Sequence, residues 1–288
     1  MREIRAGVRR LLRLPLRTAA QEKSLKVYQF PNLKGPEAIQ AMKDANADIG
    51  IMAYVLQFAP QEFVNIPKHG TIQYHPSLLP KYRGPSSINW PISLGEKKTG
   101  LTIFRPTDGL DEGPVVLQRS CTIGADETLG EVYFNKLFPM GVSALLEAAD
   151  LVVNSRHEER VQDERHATYE GWVQDEEARI HWNGHVDVAY NLIRACNPAP
   201  GAWTLLDGVK VRFYECRKHV VGRFVAAGHK PGDVAGVTER SIVIWAHGGL
   251  IEVFRLRPEG GGKMDAGDYA RQRGLPVSTA WQSYLRPA

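Results

Sequence analysis

His75 and Asp111 are the residues of this chain best placed by type and surroundings to do chemistry. His75 closes the apolar stretch "TIQY" (71–74) and is followed at once by Pro76, which cannot extend a strand ladder. In an open α/β sheet, ligands gather beyond the carboxyl ends of the strands, and this imidazole is delivered there. Asp111 lies in "PTDGLDEGP" (106–114), where Gly109 and Gly113 allow the tight turns that can carry a carboxylate. A carboxylate against one ring nitrogen fixes the tautomer of a histidine and stabilises its charged form. Such a pair can donate a hydrogen bond to a developing oxyanion and relay a proton. Asp108, in the same loop, is accounted for by turn chemistry. Gln73, two residues before His75, is either a strand residue whose amide meets neighbouring backbone or a third polar group at the same edge.

The elements that must position these residues follow an α/β pattern. "LKVYQF" (25–30) is expected to be a strand, "GPEAIQAMKDAN" (35–46) a helix with proline near its first turn, and "ADIGIMAYV" (47–55) a buried parallel strand. "GTIQY" (70–74), "GLTIFRP" (100–106) and "GPVVLQRSCTI" (113–123) are further strands, and "SSINWPISL" (86–94) is a short helix. "ETLGEVYFNKLFPMGVSALLEAADLVV" (127–153) is a long amphipathic helix interrupted by Pro139. Alternating strands and helices imply a parallel sheet with helices on its faces. From 155 to 177 the chain is charged and without apolar period, as expected of a linker. Beyond it come a helix (186–197) and several short strands with hairpin punctuation, including the turn Asp207-Gly208. A small β-barrel or sandwich is the expectation for 178–288.

The net charge of +4 is unevenly spread. Arg2, Arg5, Arg9, Arg10, Arg13 and Arg17 against Glu3 give the start a surplus of five, so the remainder stands at −1. The body of the chain is thus not an extended nucleic-acid surface, and RNA affinity must come from local patches. Residues 1–24 are taken as a basic arm rather than a folded element; the arm has the arginines of a mitochondrial transit peptide but, up to residue 17, no serine. Cys121, Cys196 and Cys216 are far apart and show no metal-ligand spacing, which points to free thiols in a reducing, cytoplasmic compartment with no metal site. No run is long and apolar enough to span a membrane.

Two motifs carry a resemblance. "HPSLLPKYRG" with "TG" after it, then "GLDEG", resembles the folate-dependent formyltransferases, including the methionyl-tRNA enzymes and the hydrolase domain of 10-formyltetrahydrofolate dehydrogenase. The motif histidine and aspartate of that family lie 36 residues apart, as His75 and Asp111 do here. The likeness covers roughly 26–153 and resumes in "RACNPAPGAWTLLDGVKV" (194–211) and "LRPEGGGKMDAGDY" (256–269). It implies a Rossmann-like formyltransferase domain over 25–154, without its first strand-helix unit, then the linker and an OB-like C-terminal barrel. Nothing before Leu25 resembles the family's opening strand, and a truncated reading frame is the expected cause.

The implied activity is transfer of a formyl group from 10-formyltetrahydrofolate to an amine, methionyl-tRNA first. Water as acceptor and an inactive folate- or RNA-binding relative are the other readings. By the resemblance His75 donates to the oxyanion, Asp111 orients it, and Gln73 stands where the methionyl-tRNA enzymes carry asparagine. The hydrolase domain is similar to this chain in having tyrosine next to the histidine, with an apolar residue in place of the amide. Gln57, Phe58 and Ala59 would line the pterin pocket beside Asp111, and Ser77, Leu78, Leu79 and Pro80 its opposite wall. Lys81, Tyr82 and Arg83 are candidates to meet an anionic substrate tail or RNA phosphate.

Overall fold

The computed structural model describes residues 17–55, 57–221 and 229–285. It divides into two compact units: Met1–Gly50 with Tyr54–Thr71, and Ile51–Ala53 with Ile72–Ala288. Most of the basic arm therefore lies outside the described residues.

In the first unit, α1 (17–22) is helical within the stretch read as an arm. Residues 25–30, expected to be a strand, form none. A strand exists only where a neighbour takes its backbone groups, and here Leu25, Val27 and Tyr28 are exposed instead. α2 (Pro36–Ala45) matches its sequence signals. It starts on proline, carries Glu37 in its first turn and Lys43 in its last, and ends on Asn46 with φ 44°. α3 (Gln61–Val64) buries Val64, whose carbonyl accepts a 2.6 Å hydrogen bond from the Thr71 hydroxyl.

The second unit contains a mixed four-stranded sheet, ordered β1 (Gly50–Met52), β2 (Thr71–His75), β3 (Lys98–Phe104), β4 (Val115–Thr122). β2–β3 and β3–β4 are antiparallel, with Gln73 opposite Phe104 and His75 opposite Thr102. The expectation of an all-parallel sheet fails at both pairings, and for β3–β4 the reason is topological. A parallel return needs a crossover of a dozen residues or more, usually helical, and residues 105–114 offer ten with no helix. β3 is buried along Thr99–Phe104, which explains its continuous apolar run. The long helix is divided as expected, into α5 (Leu129–Val132), a π-helical turn (Tyr133–Leu137) and α6 (Phe138–Val153). Pro139 has no N–H for the ladder, and the register slips in the turn just before it. Thr128 and Glu131 form a capping box at the start.

α7 (Val186–Ala195) joins this half of the unit to the next. Its buried Arg194 donates to the carbonyls of Glu127 and Ile92, and Ala195 packs with Ile92, Ile123, Val132 and Leu137. The strands that follow make two four-stranded sheets. One is β7 (Cys216–Val220), β10 (Gly249–Val253), β9 (Ile242–Ala246), β8 (Val234–Val237); the other is β12 (Met264–Asp265), β11 (Arg255–Pro258), β6 (Val209–Phe213), β5 (Ala202–Leu206). The expected OB-like barrel is therefore not found: no closed barrel forms among the described residues. Asp207 and Gly208, at φ 49° and 74°, make the hairpin turn that the sequence calls for. α8 (Ala266–Gln272) follows. Both sheets and α7 share one core, with Phe213 and Leu256 from one sheet, Ile244 and Ile251 from the other, and Ile193 from the helix. Among the described residues no helix is long and apolar enough to cross a membrane.

Ile251 is fully buried in that core. Ile251→Ala is expected to lower unfolding free energy by about 2–5 kcal/mol, measured by denaturant titration. A change well under 1 kcal/mol would show that the two sheets do not share a packed interior.

Candidate functional site

β2 carries Gln73 and His75 to its end, and the loop 105–114 between β3 and β4 brings Asp111 to them. His75 and Asp111 are both buried, at 6% and 8% exposure. His75 Nδ1 lies 3.5 Å from Asp111 Oδ2, and His75 Nε2 lies 2.8 Å from the Tyr82 carbonyl. A carbonyl can only accept, so Nε2 must carry the proton of that hydrogen bond. A neutral ring has one N–H for these two acceptors, whereas the imidazolium has one for each.

Asp111 sits on a left-handed backbone, φ 54°, which aspartate tolerates better than most residues. Its Oδ2 accepts a 2.8 Å bond from the Gly84 N–H, and Gln73 Nε2 stands 3.4 Å from Oδ1. Gln73 thus turns its amide to the carboxylate. Gly84 (φ 81°) must be glycine on two counts, since a Cβ there would overlap the Tyr169 ring. A Cβ at Gly113 would run into the Arg105 carbonyl, so the close approach of the loop's two arms needs glycine as well.

The loop after His75 is built inward. Ser77 is fully buried and its hydroxyl donates to the Lys81 carbonyl at 2.7 Å. Leu79 N–H donates to Thr102 Oγ1, which donates in turn to the Ser77 carbonyl, and Gln118 Nε2 donates to the Leu79 carbonyl. Ser77 and Leu79 are buried while Leu78 and Pro80 are half-buried, so the loop is fastened to β3 and β4. Gln57, Phe58 and Ala59 belong to the first unit. There Ala59 is buried, Gln57 and Phe58 are exposed, and the Lys34 ammonium lies 5.2 Å over the Phe58 ring.

Arg83 was a candidate for an anionic partner, but the fold uses it internally. It is buried, forms a 2.6 Å ion pair with Glu164 and donates to Gln162 Oε1. Tyr82 is also buried, and its hydroxyl donates to Glu96. Of the three, Lys81 alone is exposed.

Sequence reading missed the strap that holds all this. Residues 155–177, taken as a linker, are bonded to β4 and to the segment that follows His75. Arg160 bridges Val115, Thr168 exchanges hydrogen bonds with Pro80, Tyr82 and Arg83, Gly171 accepts from Trp90, and Val173 donates to Ser86. At its centre Gln162, 6% exposed, donates to the carbonyls of Asp111 and Gly113, each at 2.8 Å. Its neighbours in sequence are charged or exposed, and no periodicity marks it as buried. Among the described residues no group of three or more His, Cys, Asp or Glu side chains is placed to hold a metal ion.

Comparison with known proteins agrees with the two motifs. The formyl transferase family model matches residues 8–148, starting earlier than the likeness visible by inspection, and the model of the formyl transferase C-terminal domain matches 173–274. Mitochondrial 10-formyltetrahydrofolate dehydrogenase of Mus musculus is 36% identical over 267 residues, covering 88% of this chain and 29% of that one. The chain therefore spans under a third of the dehydrogenase. Methionyl-tRNA formyltransferase of Geobacter metallireducens is 31% identical over 255 residues, covering 88% and 80%. Among solved structures, HypX from Aquifex aeolicus in complex with tetrahydrofolic acid has a TM-score of 0.66 at 20% identity, over 83% of this chain and 41% of that one. The N-formyltransferase from Helicobacter canadensis, in complex with folinic acid and dTDP-3-aminofucose, has a TM-score of 0.60 at 18% identity, over 82% and 80%. At such identities the structural likeness speaks for fold.

The strap's ion pair gives a pH test. The hydrogen bond from Arg83 holds the Glu164 carboxyl below its ordinary value, so its contribution to stability is present above the unfolded-state value. That contribution is lost as pH falls through the lowered folded-state value. The melting-temperature difference between wild type and Glu164→Gln is expected near neutral pH and should vanish in strong acid. An undiminished difference in acid would show that the pair does not fasten the strap.

Proposed function

The chain belongs to the formyl transferase family, and on that premise we propose that it transfers the formyl group of 10-formyltetrahydrofolate, with methionyl-tRNA as first acceptor. The observation that carries the proposal is the buried His75–Asp111 pair, formed from the two family motifs at the end of β2. In the reaction the acceptor nitrogen bonds to the formyl carbon and an oxyanion develops on the formyl oxygen. The bond from that carbon to N10 then breaks, and the proton lost by the acceptor ends on N10. The products are tetrahydrofolate and the formylated amine.

His75 supplies the donor. The Nε2–H that donates to the Tyr82 carbonyl is the one not directed at Asp111, and it is the group assigned to share its hydrogen with the formyl oxygen as charge develops. Asp111 keeps the ring oriented and, through the imidazole, assists transfer of the acceptor's proton. Gln73 is assigned to steady the second carboxylate oxygen, a different duty from oxyanion donor. Gln57, Phe58 and Ala59 carry the folate assignment by resemblance alone, and Ser77 to Pro80 hold the histidine loop in shape.

Water as acceptor is the second reading, in which formate leaves in place of a formylated amine. Its support is the higher identity to the dehydrogenase relative, and Tyr74 between Gln73 and His75. Incubating the purified protein with 10-formyltetrahydrofolate, with and without methionyl-tRNA, separates the two. Formylmethionyl-tRNA appears under the first reading; formate at an unchanged rate appears under the second.

His75→Ala is expected to lower kcat about 10²–10³-fold, the usual cost of one oxyanion donor. Gln73→Leu is expected to cost only about tenfold or less, as befits one long hydrogen bond to a held carboxylate. Steady-state kinetics on both variants checks the assignment, and equal losses would make Gln73 a second oxyanion donor.

A further inference from the structure

Gln162 reaches both halves of the site with one side chain. Its two amide hydrogens go to the Asp111 and Gly113 carbonyls, which flank Glu112 in the turn that carries the carboxylate. Its Oε1 accepts from Arg83 Nε at 3.3 Å and Nη2 at 3.0 Å. Arg83 directly precedes Gly84, whose N–H holds Asp111 Oδ2. Both donors and both acceptor sites of the amide are thereby used. Asp111 meanwhile has a left-handed backbone, a conformation that costs a non-glycine residue energy and persists only where its surroundings over-determine it.

We propose that Gln162 is a positioning residue for formyl transfer, acting by fixing the Asp111 backbone and the Arg83-Gly84 arm so that the carboxylate faces His75. This rests on the catalytic reading of Asp111 given above. It gives the segment between the two family matches a part in the reaction, although no atom of Gln162 is assigned to touch the substrate. A buried amide serving only as packing would affect how much protein folds; one that sets the carboxylate would affect turnover by the folded protein.

The test is steady-state turnover of 10-formyltetrahydrofolate by Gln162→Met, Asp111→Asn and the double variant of the full chain, each corrected for folded fraction by circular dichroism. Gln162→Met keeps the volume and removes all four hydrogen bonds. Its kcat is expected to fall roughly 10- to 100-fold, the scale of a misplaced catalytic group, with KM for the folate changed less than about threefold. In the Asp111→Asn background the same change should have almost no further effect, because the two act as one unit. Gln162→Asn keeps the amide but draws it back by one methylene; it should lose less than the methionine variant, and it carries the comparison if that variant does not fold.

Wild-type kcat in the folded Gln162 variants beside an inactive Asp111→Asn overturns the inference alone. An equal further loss in the Asp111→Asn background does the same, since it marks a general structural effect. Full activity in Asp111→Asn removes the premise that Asp111 is catalytic, and the inference about Gln162 with it.

Discussion

A buried carboxylate on a left-handed residue keeps its place only if its oxygens and its backbone are both held, and Asp111 is held at each. The Gly84 amide takes one oxygen, Gln73 approaches the other, and Gln162 binds the carbonyl. Each of these has its own condition. Gly84 must lack a Cβ so that Tyr169 can lie against it, and Gly113 must lack one so that the Arg105 carbonyl can come close. Gln73 must sit on β2 two residues before His75, so that alternation leaves both side chains on one face.

The register of the sheet sets how the aspartate loop meets β2. β3 runs antiparallel to β2 and ends with Phe104 opposite Gln73, so the loop that follows it starts at the level of Gln73, and its Asp111 reaches both Gln73 and His75. Fully buried Thr102, opposite His75 on β3, fastens the SLLP loop through two of its backbone groups, so one strand registers the histidine and shapes the loop beyond it. The strap then ties that loop to the aspartate loop through Arg83, Gln162 and Thr168. Hydrogen bonds of this kind are individually worth about 0.5–1.5 kcal/mol, and their value lies in removing alternatives for a site that needs one geometry.

What was legible in the sequence was local. His75 and Asp111 stood out because a strand end, a proline and bracketing glycines are written beside them, and α2 and the Asp207-Gly208 turn because their caps and turn residues are adjacent. What was not legible depended on partners far along the chain. Gln162 lies 51 residues from Asp111, and a buried glutamine in a charged stretch looks the same in sequence as a solvated one. Residues 25–30 alternate like a strand, but pairing is a property of two segments. The division into two sheets instead of a barrel depends on whether edge strands bond, which no residue type announces. Antiparallel pairing of β3 and β4 is the exception, since the short helix-free loop between them is a local signal for it.

Only one acceptor-independent statement underlies the account, that Asp111 acts through His75. The most direct measurement is a double-mutant cycle on turnover of 10-formyltetrahydrofolate with His75→Ala, Asp111→Asn and both together. If the carboxylate works through the imidazole, the double variant should be no more than about twofold slower than His75→Ala alone. Losses that multiply, each variant slowing the reaction by its full factor in the presence of the other, would contradict the account and make the two residues independent.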